Sequence, residues 1–355
     1  MKKVKFYLAK AGSGKSYFAT NLNKELENKH VLFVTYTNMN MQVLIKYLRK
    51  SPLNFKSKKV ENWNEFLTNN FLMPYRKNYL KILKIDNFSG ISWERSAWKS
   101  MSYVDNENNL FGYKCSKLLE LDRALFTQAC KRLSRFYDYI VIDEFQDITG
   151  YDINFLSDLM SITKQEFLKF ILFGDVYQSN VQGTNTTMLI EGIKDIADEK
   201  RFVQDKYGKD IEIDRKTLEK SRRIGIGVSK FINQYLHIEI GAYDKNKARV
   251  FPGNINQIPV TKNQIQGIFQ KVDRILVYNK KSLKAPYKEF KDKCINWGYS
   301  KGETYEGPIA VVLTKGIYEK LNAKQDLRKI SVCTFTKFYV ALTRSRSSVY
   351  LVYLK

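Results

Sequence analysis

Short apolar runs that stop abruptly at small or charged residues set the pattern of this chain. Residues 3–8 read as a strand, residues 31–34 as a second, buried one, and residues 41–48 carry apolar positions at helical spacing, so the first 60 or so residues predict β-α-β-α. Such alternation implies a parallel sheet with right-handed crossovers. From about 72 to 135 the pattern turns polar and aromatic-dotted, with no clear strand, which predicts a mostly helical insertion. Apolar strands resume at residues 139–142 and 167–173. A second α/β unit is expected from about residue 206, with strands at 274–278, 309–313 and 349–353. The organisation expected is therefore a first domain over 1–205, with the 72–135 insertion, and a second over 206–355.

Two of these strands end in candidate chemistry. Residues 139–142 run directly into Asp143-Glu144-Phe145-Gln146-Asp147, the look of a buried parallel strand whose C-terminal end opens onto a phosphate site. The first strand runs into Ala9-Lys10-Ala11-Gly12-Ser13-Gly14-Lys15-Ser16. In a phosphate loop, small residues turn backbone N–H groups toward phosphate oxygens, a lysine reaches the β and γ phosphates, and the next hydroxyl ligates Mg²⁺. Gly12, Ser13 and Gly14 would shape the loop, with Lys15 the phosphate lysine, Ser16 a metal ligand, and Ala9 in place of the usual first glycine. Asp143 would hold Mg²⁺, directly or through water, while Glu144 would orient and deprotonate an attacking water. Gln146 and Asp147 have no assignment from chemistry alone and could equally cap the next helix. Together the two segments point to hydrolysis of ATP or GTP.

Composition narrows the partners. The chain has 355 residues, 44% of them hydrophobic, with 18 glycines and 6 prolines, which excludes disordered and collagen-like classes. No apolar run approaches the roughly 20 residues of a membrane span, and a charged strand stands where a signal peptide would be. Four dispersed cysteines and two histidines argue against a zinc site or disulfide framework, so a reducing, cytoplasmic setting is expected. Lysine and arginine number 60 against 36 acids, a formal charge of +24. A polyanion, nucleic acid, is the partner that surplus suggests. No basic amphipathic helix or lipidation motif supports a membrane instead. The densest basic stretch, residues 280–293, holds six lysines around Tyr287 and Phe290 and reads as a solvated helix face.

Seven segments in order, the phosphate loop, Thr35-Tyr36-Thr37-Asn38, Asp143-Glu144-Phe145-Gln146-Asp147, Gly174-Asp175-Val176-Tyr177-Gln178-Ser179, residues 218–223, Ser300-Lys301-Gly302-Glu303-Thr304-Tyr305-Glu306 and Val340-Ala341-Leu342-Thr343-Arg344-Ser345-Arg346, resemble the UvrD/Rep-like superfamily 1 helicases over nearly the whole chain. The resemblance implies two RecA-like α/β domains, ATP and Mg²⁺ in the cleft between them, and single-stranded nucleic acid, DNA rather than RNA, across their top. It implies Gln178 as a γ-phosphate sensor, otherwise a turn glutamine, and Arg223 and Arg344 as arginines reaching the γ phosphate from the second domain. Arg222-Arg223 read alone is a surface pair. Tyr17 stands where the family has a base-stacking arginine and Arg222 where it has a stacking tyrosine; the two could sandwich the base in exchanged roles, or Tyr17 could pack on its own helix. Gly302 and Glu303 fall at the nucleotide by the same resemblance. Tyr36, Thr37, Asn38, Asn62, Trp63 and Thr304 fall at the nucleic acid, with Trp63 equally a core residue.

Departures from the family pattern carry expectations too. Little chain precedes Ala9, so the upstream glutamine element that reads adenine is missing and ATP over GTP is open. Val181 and Gly183 replace a tyrosine and a tryptophan, and Glu303-Thr304-Tyr305 is closer to 5′→3′ relatives, although 3′→5′ movement is the expectation. Too few residues separate Arg223 from Lys301 for the large accessory domain of full-length relatives. Rival readings are an ATP-switched, non-motor nucleic-acid subunit and a small-molecule kinase; a loader, nuclease or replication or defence partner is compatible with any motor reading. The charge surplus generates a first prediction. Affinity for mixed-sequence single strands, measured by fluorescence anisotropy across a salt series, should fall on the order of 10³-fold between about 50 and 200 mM salt and be nearly indifferent to sequence. A flat response, or selectivity for one short sequence, contradicts it.

Overall fold

The computed structural model describes residues 3–94, 102–179, 196–243, 247–253, 257–279 and 287–354. Two parallel sheets organise the chain, giving the two α/β domains expected. The first begins with β1 (Val4–Leu8), β2 (His30–Thr35) and β3 (Ser57–Asn62). After the insertion, which holds β4 (Gly90–Ser92) and β5 (Asn109–Phe111), it continues with β6 (Tyr139–Asp143), β7 (Lys169–Gly174) and β8 (Glu212–Asp214). Its strand order is β3-β2-β6-β7-β1-β8, every pairing parallel. The central strands are buried on both faces, which is why they read as continuous apolar runs.

The second domain opens with a two-stranded pair, β9 (Lys220–Ser221) and β10 (Gly241–Ala242). Its main sheet contains β11 (Val250–Phe251), β12 (Arg274–Val277), β13 (Cys294–Asn296), β14 (Ile309–Val312) and β15 (Val349–Val352), in the order β11-β15-β14-β12-β13. Trp297, fully buried, anchors this core by donating its indole N–H to the Leu276 carbonyl at 3.0 Å and packing against Tyr278 and Phe338.

The helices that matter for the cleft are α1 (Lys15–Tyr17), continued as one π-helical segment over Phe18–Leu22, α2 (Asn38–Arg49) and α3 (Trp63–Leu67). In the insertion follow α4 (Arg76–Leu83), α5 (Cys115–Leu119) and α6 (Arg123–Phe136). The remainder are α7 (Tyr151–Ile162), α8 (Ile196–Tyr207), α9 (Ile226–Leu236), α10 (Lys262–Lys271), α11 (Lys315–Asn322) and α12 (Val332–Leu342). Among the described residues, no helix is long and apolar enough to cross a membrane. None of the four cysteines forms a disulfide.

Two expectations need correction. The insertion is mostly helical but not strand-free, since β4 and β5 pair in parallel and the Trp93 ring lies where a Cβ on Gly112 would be, 2.4 Å away. The first sheet runs past the 205/206 boundary, because β8 pairs with β1. Where it is described, the basic stretch is a short 3₁₀ helix, Lys288–Lys293, with Lys288, Glu289, Lys291 and Asp292 exposed, in keeping with a solvated face; Phe290 and Tyr287 pack on Phe269, and Lys293 Nζ donates to the carbonyls of Phe269, Gln270 and Val272 at 3.1, 3.2 and 2.9 Å, closing the C-terminal end of α10. Lys280, Lys281 and Lys284, like Val181 and Gly183, lie outside the described residues.

α8 carries one misfit. Lys206 Nζ is buried without a hydrogen-bond partner, 3.6 Å from the Phe202 ring centroid, and burial pulls its pKa down to about 7. Its folded value lies below its unfolded one near 10.5, so the native state binds fewer protons between those values and stability rises as pH increases across that window. Lys206→Met should therefore raise stability at pH 7 by about 1 kcal/mol, a figure discounted for partial exposure, and should flatten the rise between pH 7 and 10 in denaturant melts. Destabilisation at pH 7 contradicts this.

Candidate nucleotide cleft

The loop after β1 is held from both sides. Ala9 N–H donates to the Gly174 carbonyl at the end of β7 at 2.9 Å, and Ser13 N–H closes a turn onto the Lys10 carbonyl at 3.1 Å. Gly12 (φ +71°) and Gly14 (φ +89°) occupy left-handed backbone that other residues rarely adopt, and Gly14 caps α1. This strand-loop-helix path sets the N-terminus of α1 just past the end of β1. Ser13 Oγ is buried there with no partner.

The end of β6 meets that loop. Ser16 Oγ donates to Asp143 Oδ2 at 2.5 Å, and buried Lys15 Nζ lies 3.4 Å from Glu144 Oε1. Glu144 sits in left-handed backbone (φ +61°), which turns its side chain out of the strand's alternation toward Lys15. Burial pushes Glu144 up, but the Lys15 and then Lys301 charges outweigh it and hold the carboxyl down at about 2. Burial, reinforced by the Glu144 charge, pushes Asp143 up to about 6. Lys15 is pulled down by burial, yet Glu144, Asp175 and Asp143 together raise it above the ordinary lysine value. A hydroxyl and a carboxylate oxygen in contact are a hard-oxygen donor pair that fits Mg²⁺ arriving with a nucleotide's phosphates. No cluster of three or more His, Cys, Asp or Glu able to hold a metal by itself occurs among the described residues.

Gln146 and Asp147 do not cap α7, whose N-terminus at Gly150 has no side-chain cap. Gln146 instead donates to Glu144 Oε2 and accepts from the Asp175 N–H at 3.1 Å, tying the ends of β6 and β7 together. Asp147 receives Lys301 Nζ of the second domain at 2.5 and 2.7 Å. Burial pushes Asp147 up to about 6 against the pull of Lys301.

The second domain closes over the loop at close range. Arg222 N–H donates to the Gly12 carbonyl at 2.8 Å, and a Cβ on Gly12 would lie 2.6 Å from Arg223 Cβ. Arg223 Nη1 donates to the Thr343 carbonyl at 3.2 Å, and burial, then the neighbouring Arg344 charge, pulls its pKa down to about 9. Arg344, 2% exposed, is fixed by donating to the Val340 carbonyl at 2.9 Å and Thr343 Oγ1 at 3.1 Å. Lys15, Ser16, Glu144, Gln178, Arg223 and Arg344 all line one cleft of about 730 Å³ between the domains.

Tyr17 and Arg222 line the outer part of that cleft, with Tyr17 exposed and edge-on to Tyr47 of α2, and the Arg222 guanidinium 5.2 Å from the Tyr243 ring centroid. Gly302 and Thr304 also line it, and Glu303 is exposed outside the lining. Tyr36 is partly buried against the core. Thr37 caps α2 by accepting from Asn40 N–H at 3.2 Å, Asn62 and Glu65 form a capping box on α3, and Asn62 Nδ2 donates to Asn38 Oδ1 at 2.8 Å. Trp63 is a core residue, not a contact: it is 2% exposed and packs on Phe66 and Phe155.

Two further residues at the domain contact carry little signal in the sequence. Lys301 offers only its charge. Tyr339 immediately precedes the Val340 segment, and nothing in a one-dimensional pattern distinguishes it from a core tyrosine.

No family model matches the chain, and no curated protein matches it. Solved structures similar to it include arterivirus nonstructural protein 10, a helicase, in complex with DNA (10% identity, TM-score 0.47, 99% of this chain and 60% of that one) and the same helicase in a crystal structure described without DNA (11%, 0.48, 99% and 59%). Another is Bacteroides sp. Pif1 with ADP-AlF4 (12%, TM-score 0.35, 98% and 88%). The chain thus spans less than two thirds of the arterivirus protein's length. Likeness of this size bears no part of the functional reading below.

The geometry separates two aromatic substitutions. Trp63→Ala should cost about 3–5 kcal/mol in thermal or denaturant unfolding, as a core cavity does. Tyr17→Ala should leave the melting temperature nearly unchanged while weakening nucleotide binding, read by a fluorescent ATP analogue, about tenfold. A stable Trp63→Ala, or unaltered nucleotide affinity in Tyr17→Ala, contradicts the assignment.

Proposed function

We propose that the chain is an ATP-hydrolysing motor on single-stranded nucleic acid, a translocase with modest helicase activity, acting on DNA. The observation that carries this reading is one cleft in which Lys15, Ser16 and Glu144 of the first domain, with buried Asp143 bonded behind Ser16, face Arg223 and Arg344 of the second. Lys15 and the loop amides would hold the β and γ phosphates, and Ser16 and Asp143 would hold Mg²⁺. The metal, when bound, supplies positive charge that neutralises the transferring phosphoryl group. Glu144, kept ionised by Lys15 and Lys301, accepts the proton of the attacking water once phosphate draws Lys15 away. Arg223 and Arg344 repel each other until a triphosphate lies between them, so ATP favours closure and hydrolysis relaxes it.

Tyr36, Thr37 and Asn38 stand at the end of β2 and the start of α2, on the same sheet edge as the catalytic residues. A strand crossing there would be held by phosphate contacts to the α2 N-terminus and by stacking on Tyr36. Base recognition by Tyr17 and Arg222 would rest on stacking. The polarity proposed is 3′→5′, from the UvrD/Rep-like resemblance, with the Glu303-Thr304-Tyr305 departure favouring 5′→3′; a loader or nuclease partner would supply processive unwinding.

The test is ATP and GTP turnover with and without single-stranded DNA and RNA. DNA-stimulated ATPase is expected. Lys15→Ala should lose nucleotide affinity, whereas Glu144→Gln should bind ATP and hydrolyse it on the order of 10²–10⁴ times more slowly. Normal turnover in Glu144→Gln contradicts the mechanism, and ATP binding with no strand-stimulated turnover assigns the chain to the ATP-switched subunits. Streptavidin displacement from each strand end reads polarity.

A further inference from the structure

Tyr339 on α12 is wholly buried, yet its hydroxyl lies at a junction of three segments instead of an apolar pocket. It accepts from the Ala11 N–H of the phosphate loop at 3.2 Å and donates to Asp175 Oδ2 at 3.0 Å. The same carboxylate oxygen accepts from Gln178 Nε2 at 3.0 Å. Burial and the Asp175 charge push the phenol well above its ordinary range, so the proton stays on Tyr339 and the direction of both bonds is set. A single side chain of the second domain therefore touches the phosphate loop and the partner of the proposed γ-phosphate sensor.

We infer that Tyr339 is a positioning residue through which the second domain controls the Gln178 amide. When Gln178 turns toward a γ phosphate, Asp175 Oδ2 loses one donor and keeps the other, because Tyr339 holds it. Asp175 Oδ1 accepts from the Tyr177 N–H at 3.2 Å, but Oδ2 stripped of both its donors would still be a costly buried charge, so Gln178 is free to leave only while Tyr339 is in place. The sensor's release is thereby tied to the domain contact at Ala11. This inference rests on the reading of the cleft as an ATPase.

The test uses the full chain with saturating single-stranded DNA, measuring kcat and KM for ATP and the melting temperature in Tyr339→Phe, Asp175→Asn and the double variant. Tyr339→Phe should lower kcat about tenfold while KM changes less than about threefold, the size that losing one hydrogen bond to a charged group allows. Asp175→Asn, which leaves a single acceptor oxygen, should reproduce that loss, and the double variant should be no worse than Asp175→Asn alone. A merely structural hydroxyl would lower the melting temperature and leave kcat and KM of the folded protein unchanged, which overturns the inference. Multiplicative losses in the double variant overturn it as well. Should Tyr339→Phe fail to fold, wild-type kcat in Asp175→Asn is the overturning result. An inactive wild-type chain overturns the ATPase reading itself, whereas an active one matched by Tyr339→Phe overturns only this inference.

Discussion

The close approach at Gly12 is the constraint on which the cleft depends. Its backbone is left-handed, its carbonyl accepts from Arg222 N–H, and the space a side chain would fill is taken by Arg223 Cβ and by Ser221 Oγ, 2.6 and 2.8 Å from an ideal Cβ. Any residue other than glycine would meet backbone strain and collision together. Because the loop and the entry to the second domain touch at backbone distance, Arg223 starts beside the loop that carries Lys15. The same contact places α12 so that Tyr339 reaches Ala11 and Arg344 lines the cleft.

Charge does the rest of the arrangement. Asp143, Glu144, Asp147 and Asp175 are gathered at the ends of β6 and β7, and each is balanced by a specific group: Ser16 on Asp143, Lys15 on Glu144, Lys301 on Asp147, Tyr339 and Gln178 on Asp175. Two of these partners, Lys301 and Tyr339, come from the second domain. Domain closure is thus written into the pairing of buried carboxylates, whose isolation would be costly in a low-dielectric cleft. The Arg223 guanidinium donates to the Thr343 carbonyl and that of Arg344 to the Val340 carbonyl and the Thr343 hydroxyl, and both side chains line the cleft that the loop after β1 also lines.

The parts of this structure legible in the sequence are those whose cause is local. β1, β6 and β7 are buried on both faces, so their apolar runs and the loops at their ends could be read directly. β3 and β8, the two edges of the first sheet, are Ser-Lys-Lys-Val-Glu-Asn and Glu-Ile-Asp, polar as edges tend to be, and only pairing with β2 and β1 makes them strands. The reach of the first sheet past residue 206 is hidden from the sequence for that reason. Trp63 illustrates the same limit for a side chain: an aromatic flanked by asparagines reads equally as contact or core, and only the rings of Phe66 and Phe155 packed on it decide for the core. Lys301 and Tyr339 acquire meaning through partners more than 150 residues away, Asp147 and Asp175, which no local pattern encodes.

The central claim is that hydrolysis needs cations from both domains in one cleft. Single-turnover hydrolysis of ATP by Arg223→Ala, with nucleotide binding measured in parallel, tests it most directly. The account predicts that ATP still binds while the hydrolysis step slows on the order of 10³-fold, the size expected when a cation stabilising transferring phosphate is removed. Hydrolysis at the wild-type rate in Arg223→Ala would contradict it, since the first domain would then suffice for the chemistry.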